Sequence, residues 1–349
     1  MKVMVAMSGG VDSSVAAALL ARDGHDVVGV TMRLWGGESD TGCCSVADVE
    51  DARRVAQQLD VDHLVFNFTE DFDAHVVEPY VDAHAGGTTP NPCVECNRRV
   101  KFDRLAERAA LLGFDAIATG HHARVRGQAG RWMLARGADR AKDQSYVVHM
   151  LGQYDLATTL FPVGEYSDKG EVRRLAASLG LRTAAKPDSQ DVCFITTTGG
   201  RREFLSRRLP LHPAVVVDSS GRRVGVVPAV ELVTVGQRKS LGLPGGGPKR
   251  YVLDVDRATA TVTIGPAEEL MRETVRVGRL TWVAGAVAGS VLVQCSAHGV
   301  AEPATLVAVD GRVDAHWERP QRRVAPGQSV VFYDLTDRYV LGGGICAAG

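Results

Sequence analysis

Residues 1–20 read MKVMVAMSGGVDSSVAAALL and carry the most informative pattern in the chain. An apolar run, a short loop rich in glycine and serine, and an alanine- and leucine-rich run predict a buried strand, a tight turn and a helix in succession. Glycine lets the backbone turn and approach a ligand closely, and the free N–H groups at the start of a helix point toward anions. The stretch therefore predicts a phosphate-binding turn between a parallel strand and a helix.

The side chains of this turn narrow the choice of ligand. Ser8, Ser13 and Ser14 add hydroxyl donors, whereas Asp12 would repel phosphate oxygens unless a divalent cation such as Mg2+ lay between them. The turn lacks the lysine of the Gly-x-x-x-x-Gly-Lys-Ser/Thr loop and the glycine spacing of the dinucleotide-binding pattern. We therefore expect a metal-bound nucleotide, with Asp12 as the metal ligand.

The length and composition of the chain set broad limits. A chain of 349 residues with 45% hydrophobic and 23% charged residues is typical of a globular protein with more than one core. We expect no membrane association, since no apolar run approaches the length of a membrane span. The net charge of -1 gives no global attraction to nucleic acid, so contact with RNA would depend on local basic clusters.

The cysteine count points to a compartment. Seven cysteines, an odd number, without an export signal indicate thiols that are kept reduced, and Asp12 and Arg22 interrupt the apolar N-terminus that a signal peptide would need. We therefore expect a cytoplasmic protein.

The pattern along the chain predicts three domains. Strands alternate with helices in residues 1–205, which predicts an α/β catalytic domain with a doubly wound parallel sheet and ligands at its carboxyl edge. Short Val- and Thr-rich runs follow, separated by Gly and Pro, and predict a central β-rich domain at 206–273 and a C-terminal β-barrel domain at 274–349.

Two cysteines are candidate reactive thiols. Cys96 is expected just before or within the first turn of a helix, where the helix dipole and nearby arginines favour the thiolate, and Cys193 lies at the far end of the α/β region. A structural zinc site would need further ligands at suitable spacing, which the chain does not offer clearly. Cys295 and Cys346 are expected to be small buried hydrophobic residues. Cys43 and Cys44 are expected to lie in a surface loop, and the sequence assigns them no role.

An ordered set of motifs carries a family resemblance. The first loop resembles the PP-loop of ATP pyrophosphatases, and the whole set resembles bacterial tRNA-specific 2-thiouridylases over nearly the entire chain. The motifs are SGGVDSS at 8–14, TPNPCVECN at 89–97, TGHHAR at 119–124, KDQSY at 142–146, CFI at 193–195, GQRK at 236–239 and PGQ at 326–328.

The resemblance implies a reaction. ATP would adenylate the carbon-2 oxygen of the wobble uridine, position 34, in tRNAs for Lys, Glu and Gln, and sulfur would then replace that oxygen to give 2-thiouridine, AMP and pyrophosphate. Cys193 would carry a persulfide received from a sulfur-donor system, such as a cysteine desulfurase acting directly or through a relay. Cys96 would be its nucleophilic partner, which frees sulfide or closes a disulfide with Cys193.

The resemblance also assigns binding residues. The ATP-binding positions are Ala6, Met7, Ser8, Gly9, Gly10, Val11, Asp12, Ser13, Met32 and Gly120. The tRNA-binding positions are Asn91, Pro92 and Cys93 beside the target base, and His121, Lys142, Asp143, Gln144 and Gln328 elsewhere. Two departures stand out: many members of the family carry Asp where this chain has Cys93, and the segment around Ser296 lacks the arginine that the family leads us to expect.

Three alternatives remain open. Cys93, Cys96 and Cys193 could bind three irons of a [4Fe-4S] cluster whose fourth iron takes up sulfide. An ATP-dependent amide or amidine ligase on the same loop would need neither reactive cysteines nor β-domains for RNA. A non-catalytic RNA-binding protein would not turn over ATP in a way that depends on Asp12.

Overall fold

The computed structural model describes residues 1–35, 46–188, 192–196, 199–243 and 247–347. Cys43 and Cys44, whose position was expected to be a surface loop, lie outside the described residues. The strands are β1 (Lys2–Ala6), β2 (Asp26–Arg33), β3 (Asp62–Asn67), β4 (Ala116–Ala118), β5 (Ala123–Gln128), β6 (Arg131–Arg136), β7 (Thr159–Leu160), β8 (Ala214–Asp218), β9 (Arg223–Val227), β10 (Tyr251–Asp256), β11 (Thr261–Gly265), β12 (Met271–Trp282), β13 (Gly289–Gln294), β14 (Glu302–Val309), β15 (Arg312–Arg322), β16 (Ser329–Tyr333) and β17 (Tyr339–Cys346).

The helices lie mainly in the first part of the chain. The α-helices are α1 (Val11–Arg22), α2 (Val46–Gln58), α3 (Thr69–Phe72), α4 (Glu78–Ala85), α5 (Pro92–Cys96), α6 (Leu105–Leu111), α7 (Gln153–Ala157), α8 (Lys169–Ser178), α9 (Cys193–Thr196) and α10 (Arg201–Ser206). π-Helical segments occupy Asp73–Val77 and Asn97–Arg104, and 3₁₀ turns occupy Ser145–Val148, Pro162–Glu165, Val230–Leu232 and Ala267–Leu270. None of the described helices has both the length and the apolarity that crossing a bilayer requires.

The first sheet has the strand order β3-β2-β1-β4-β7, with all neighbours parallel. Alternate residues of β1 face opposite sides: Val3 and Val5 pack in a cluster with α1 and α8, while Met4 and Ala6 pack in a second cluster on the other face. Both faces of the strand are buried, which is why β1 reads as a continuous apolar run. The predicted doubly wound parallel α/β sheet is confirmed.

Two β-rich units follow this sheet. The central sheet has the order β10-β11-β8-β9 and encloses its own small core. The strands β12-β15-β14-β13-β16-β17 form an antiparallel sheet that closes on itself, because β17 also pairs with β12. Valine and leucine side chains from alternate positions fill its interior. The predicted final β-barrel is confirmed.

One feature of the barrel was not expected from the sequence. The hairpin β5–β6 belongs to the first part of the chain, yet β6 pairs antiparallel with β17 through Tyr339 opposite Ala135 and Val340 opposite Leu134. Arg136 reinforces this junction: it is buried, it donates to Asp143 at 2.8 Å and Asp337 at 2.6 Å, and its guanidinium lies 3.5 Å from the centroid of the Tyr333 ring. The barrel is therefore anchored to the α/β region by a β-ladder and a buried ion-pair network.

Candidate functional site

The predicted phosphate-binding turn lies between β1 and α1. Gly9 has a φ of +70°, in the left-handed region, and a Cβ at this position would collide with the carbonyl oxygen of Asp48. The Ser8 backbone N–H donates to Ser13 Oγ at 3.2 Å, and the hydroxyls of Ser13 and Ser14 donate to the Gly10 carbonyl at 3.2 and 2.8 Å. The turn is therefore compact and internally braced, with the start of α1 at its end.

Gly120 reaches the same turn from a distant part of the chain. A Cβ on Gly120 would lie 2.6 Å from the Ser13 backbone nitrogen and 2.9 Å from the Asp12 Cβ, so only glycine lets these two backbones pack together. Met32, near the end of β2, is buried in the same apolar cluster as Ala6. Gly120 thus packs against the turn, and Met32 packs in the same apolar cluster as Ala6 at the end of β1.

Asp12 is the centre of a charged network. Its Oδ1 accepts a hydrogen bond from His122 Nε2 at 3.1 Å, and its Oδ2 forms an ion pair with the ammonium of Lys169. Burial alone would raise the pKa of Asp12, but the hydrogen bonds from His122 and Lys169 outweigh it and lower the pKa below its usual value. Asp12 is therefore ionised at neutral pH, and its carboxylate can bind a metal ion or pair with a lysine.

Lys169 also approaches a second carboxylate, that of Asp188. The Lys169 ammonium lies 3.4 Å from Asp188, which also pairs with Lys142 at 3.1 Å and Arg173 at 2.6 Å. Burial would raise the pKa of Asp188, and its lysine partners lower it overall. Neither Lys169 nor Asp188 was among the residues singled out from the sequence.

The sequence did contain a signal for Lys169. Asp168 caps α8 by accepting a hydrogen bond from the Gly170 backbone, which makes Lys169 the first residue of the helix. A cation is unfavourable at that position because the helix dipole places partial positive charge there. A lysine in the first turn of a helix, directly after a capping aspartate, therefore indicates a function other than stabilising the helix.

The position of Cys96 corrects one expectation. Asn91 caps α5 by accepting a hydrogen bond from the Cys93 backbone at 3.0 Å, and Pro92 is the first helical residue. Cys96 is thus the fifth residue of the helix rather than in or before its first turn, because the Asn-Pro pair starts the helix earlier. The widened π-helical segment Asn97–Arg104 follows it directly, a feature that is frequent at functional sites.

The two candidate thiols share an apolar surrounding. Cys96 is buried in the cluster that contains Ala6 and Met32, and Cys193 is half-buried and packs against that cluster. Phe194, next to Cys193, makes aromatic contacts with four rings at centroid distances of 5.0 to 6.1 Å: those of Trp35, Phe72, Tyr80 and Phe204. The fold therefore brings two cysteines that are distant in sequence to one hydrophobic cluster.

Several residues predicted to bind tRNA make contacts within the protein. The carboxylate of Asp143 accepts hydrogen bonds from Arg136 and from the Gly137 backbone, and Gln144 Oε1 accepts from the His122 backbone at 2.8 Å. His121 is buried, and its Nδ1 lies 2.7 Å from the Thr119 hydroxyl oxygen. Burial lowers the pKa of His121 well below its usual value. Lys142 is more exposed, with 42% of its side chain accessible.

Gln328 and Asn91 lie at the junction with the barrel. Gln328 Nε2 donates to the Thr89 carbonyl, and the Thr89 backbone donates to the Pro326 carbonyl at 2.8 Å. These bonds fix the barrel against the loop that precedes α5. Contact of these residues with tRNA stays a prediction.

A cavity of about 530 Å³ lies beside this junction. It is bounded by α4, by the segment around Pro90 to Glu95 and by strands of the barrel. Arg99, Arg279 and Glu95 line it, and Glu95 lies 3.8 Å from Arg279. The cavity therefore adjoins the predicted target-base segment and has basic side chains from both domains.

The described residues offer few ligands for a metal ion. No group of three His, Cys, Asp or Glu side chains suited to a metal ion occurs in the part of the chain that the structure covers. Asp12 could contribute one carboxylate to Mg2+, as 27% of its side chain is exposed, but the cation would have to displace Lys169. The site thus fits a cation shared with phosphate oxygens rather than one held by protein ligands alone.

All three units of the chain match known protein families. The chain matches the family models described as the tRNA methyl transferase HUP domain over residues 1–197, the tRNA methyl transferase PRC-barrel domain over 202–266 and the aminomethyltransferase β-barrel domain over 272–346.

Curated proteins named tRNA-specific 2-thiouridylase MnmA are similar over nearly the whole chain. The protein of Roseiflexus sp. (strain RS-1) is 46% identical and covers 98% of both chains. That of Chloroflexus aggregans is 49% identical, over 98% of this chain and 97% of the relative, and that of Mycolicibacterium smegmatis is 44% identical over 95% of each. The similarity therefore extends through the α/β domain and both β-rich units.

Proposed function

We propose that this chain, which belongs to the tRNA-specific 2-thiouridylase family, is an ATP-dependent tRNA-uridine 2-sulfurtransferase. Its substrate is the wobble uridine of tRNAs for Lys, Glu and Gln, and its products are 2-thiouridine, AMP and pyrophosphate. A cysteine desulfurase system supplies the sulfur. The reaction takes place in the cytoplasm, where cysteines remain reduced between turnovers.

The first step is adenylation of the base. The uridine O2 attacks the α-phosphorus of ATP, the bond to the β-phosphate oxygen breaks, and pyrophosphate leaves. The backbone N–H groups at the start of α1, which follows the turn, would bind the phosphates. Asp12 would hold Mg2+, which would offset the charge of the phosphates. Activation makes the former carbonyl oxygen part of a good leaving group, AMP.

The second step is sulfur transfer. The terminal sulfur of a Cys193 persulfide attacks C2 of the activated base, and AMP leaves. Cys96 Sγ then attacks Cys193 Sγ, which forms a Cys96–Cys193 disulfide and releases 2-thiouridine. Alternatively, Cys96 first attacks the persulfide to release hydrosulfide, which attacks C2. In both routes a cellular thiol must reduce the disulfide before the next turnover.

One observation carries this proposal: a single apolar cluster contains Ala6 and Met32 of the nucleotide site together with Cys96, and Cys193 packs against it. Activation and sulfur transfer act on one base, so their groups must converge. The proposal requires the α9 segment to bring Cys193 Sγ within bonding distance of Cys96 Sγ during the reaction. The basic side chains of Arg99 and Arg279 beside the cavity near Asn91 are suited to RNA phosphates around an extruded base.

A mechanism that depends on an iron–sulfur cluster is the second candidate. Cys93 and Cys96 are three residues apart on α5 and would be two ligands of a [4Fe-4S] cluster. Cys193, the third ligand, would have to move toward them, because no three such side chains are grouped for a metal ion among the described residues. Iron and sulfide analysis of anaerobically purified protein decides between the two. Full activity in iron-free protein would exclude the cluster.

The main experiment measures the nucleotide product and the modified base together. Unmodified tRNA, ATP, Mg2+ and a persulfide donor are supplied to the wild-type protein, Cys193→Ser and the matched barrel variant Cys295→Ser, and wobble nucleosides are analysed by mass spectrometry. We expect AMP and 2-thiouridine from the wild type and Cys295→Ser, and no 2-thiouridine from Cys193→Ser. Formation of ADP in place of AMP would contradict the proposal.

A further inference from the structure

The phosphate-binding turn poses an electrostatic problem that its own residues leave unsolved. The polyphosphate of ATP carries several negative charges, and the turn contributes Asp12 but no lysine or arginine. In loops that contain a lysine, that side chain reaches the terminal phosphates directly. Mg2+ would offset part of this charge, and a cationic side chain from elsewhere in the chain would complete a site that releases pyrophosphate.

Lys169 lies where such a cation is needed. Its ammonium forms an ion pair with Asp12, and Asp12 belongs to the first turn of α1. The backbone of Lys169 is fixed, because its N–H donates to Asp139 Oδ2 at 2.9 Å. The residue is 9% exposed overall, so its charge is held close to the turn rather than in solvent.

This placement is costly for stability alone. Lys169 is the first residue of α8, where the helix dipole opposes a cation, and its burial removes most of its hydration. Two carboxylates, Asp12 and Asp188, offset this cost. The neighbouring cations Lys142 and Arg173 pair with Asp188 but not with Asp12. Among the described residues, Lys169 is therefore the lysine that pairs with the carboxylate of the turn.

We propose that Lys169, the first residue of α8, is the cation of this enzyme that binds the pyrophosphate portion of ATP. In the absence of nucleotide, Asp12 holds the ammonium beside the site. On binding of ATP, Lys169 turns from Asp12 to the β- and γ-phosphate oxygens, and Asp12 becomes available to Mg2+. Asp188, held by Lys142 and Arg173, keeps the lysine oriented during the exchange. This inference rests on the proposed function for its use of ATP.

The test compares nucleotides that differ only in the phosphates that Lys169 would contact. Binding of ATP, pyrophosphate and AMP, each with Mg2+, is measured by calorimetry on the full chain without tRNA or sulfur donor. The variants are Lys169→Gln and, as a matched control on the same helix, Arg174→Gln, whose side chain is 69% exposed. Thermal unfolding is recorded for each variant.

Lys169→Gln should weaken ATP and pyrophosphate binding by about 10- to 100-fold, which corresponds to the loss of a hydrogen bond between charged groups, and leave AMP binding unchanged. Arg174→Gln should bind all three ligands as the wild type does. An equal loss for ATP and AMP would assign Lys169 a merely structural role and overturn the proposal, and so would unchanged ATP binding.

A second variant covers the case in which Lys169→Gln fails to fold. Lys169→Arg keeps the positive charge beside Asp12 and Asp188 but changes its shape and reach. Because arginine also pairs with phosphate oxygens, we expect this variant to keep the preference for ATP over AMP within about tenfold of the wild type, and equal affinity for ATP and AMP would overturn the proposal. Because no tRNA or sulfur is present, failure here is distinct from failure of the thiolation assay.

Discussion

The nucleotide edge and the cysteine cluster adjoin each other but have opposite chemistry. The nucleotide edge is a network of charges in which His122, Asp12, Lys169 and Asp188 pair in succession. The cysteine cluster is apolar and aromatic, with Phe194 among its rings. Charged partners suit a step in which pyrophosphate leaves, whereas a dry surrounding protects a persulfide and an activated base from water. We therefore expect the two half-reactions to use separate sets of residues.

The largest expected effect separates the two half-reactions. Asp12→Ala removes the carboxylate of the nucleotide edge, so both AMP formation and thiolation should fall to background. Cys96→Ser should abolish thiolation but keep ATP–pyrophosphate exchange in the presence of tRNA. Both are measured with labelled pyrophosphate and by nucleoside mass spectrometry. Loss of exchange in Cys96→Ser would show that the two regions do not act independently.

A smaller effect concerns the stability of the cysteine cluster. Phe194→Ala removes a ring that is 2% exposed and packs against four other aromatic rings, so it should destabilise the fold by about 3–5 kcal/mol. Urea unfolding measures the change. The control Tyr154→Ala alters a side chain that is 75% exposed and should change stability by less than about 0.5 kcal/mol. A loss of similar size in both variants would contradict the role of the cluster.

The smallest expected effect is on the pH dependence of the free energy of unfolding, to which Asp12 and Asp188 of the nucleotide edge contribute. The pKa values of Asp12 and Asp188 are lowered in the fold, so their stabilisation is complete above the unfolded pKa of about 3.9 and is lost as pH falls through the lowered values. Asp188→Asn should cost about 1.5–3 kcal/mol at neutral pH and less in acid.

Unfolding measured between about pH 5 and pH 2 checks this behaviour. The difference between wild type and Asp188→Asn should shrink as the pH falls, whereas the difference between wild type and Phe194→Ala should stay constant, because no titrating group is removed. Parallel curves for Asp188→Asn would mean that the carboxylate is not stabilised by its cationic partners.

Prediction from sequence succeeded where the signal was local. The strand, turn and helix of residues 1–20 follow from apolar periodicity and two glycines, and the alternation of strands and helices predicted the parallel sheet. The expectation that Cys96 lies in or before the first turn of its helix is wrong, because Asn91 caps α5 and the helix begins at Pro92. The hairpin β5–β6 was also missed, and its pairing with β17 joins residues about two hundred positions apart.

The amino-acid sequence by itself determined the elements that depend on neighbours along the chain: the phosphate-binding turn, the strand and helix order, and the two β-rich units. Only the tertiary structure decided which side chains meet. Lys169 pairs with Asp12, and Cys193 packs on the cluster of Cys96, because parallel strands bring distant loops to one edge. Such contacts depend on the packing of whole elements, so no local pattern of residues encodes them.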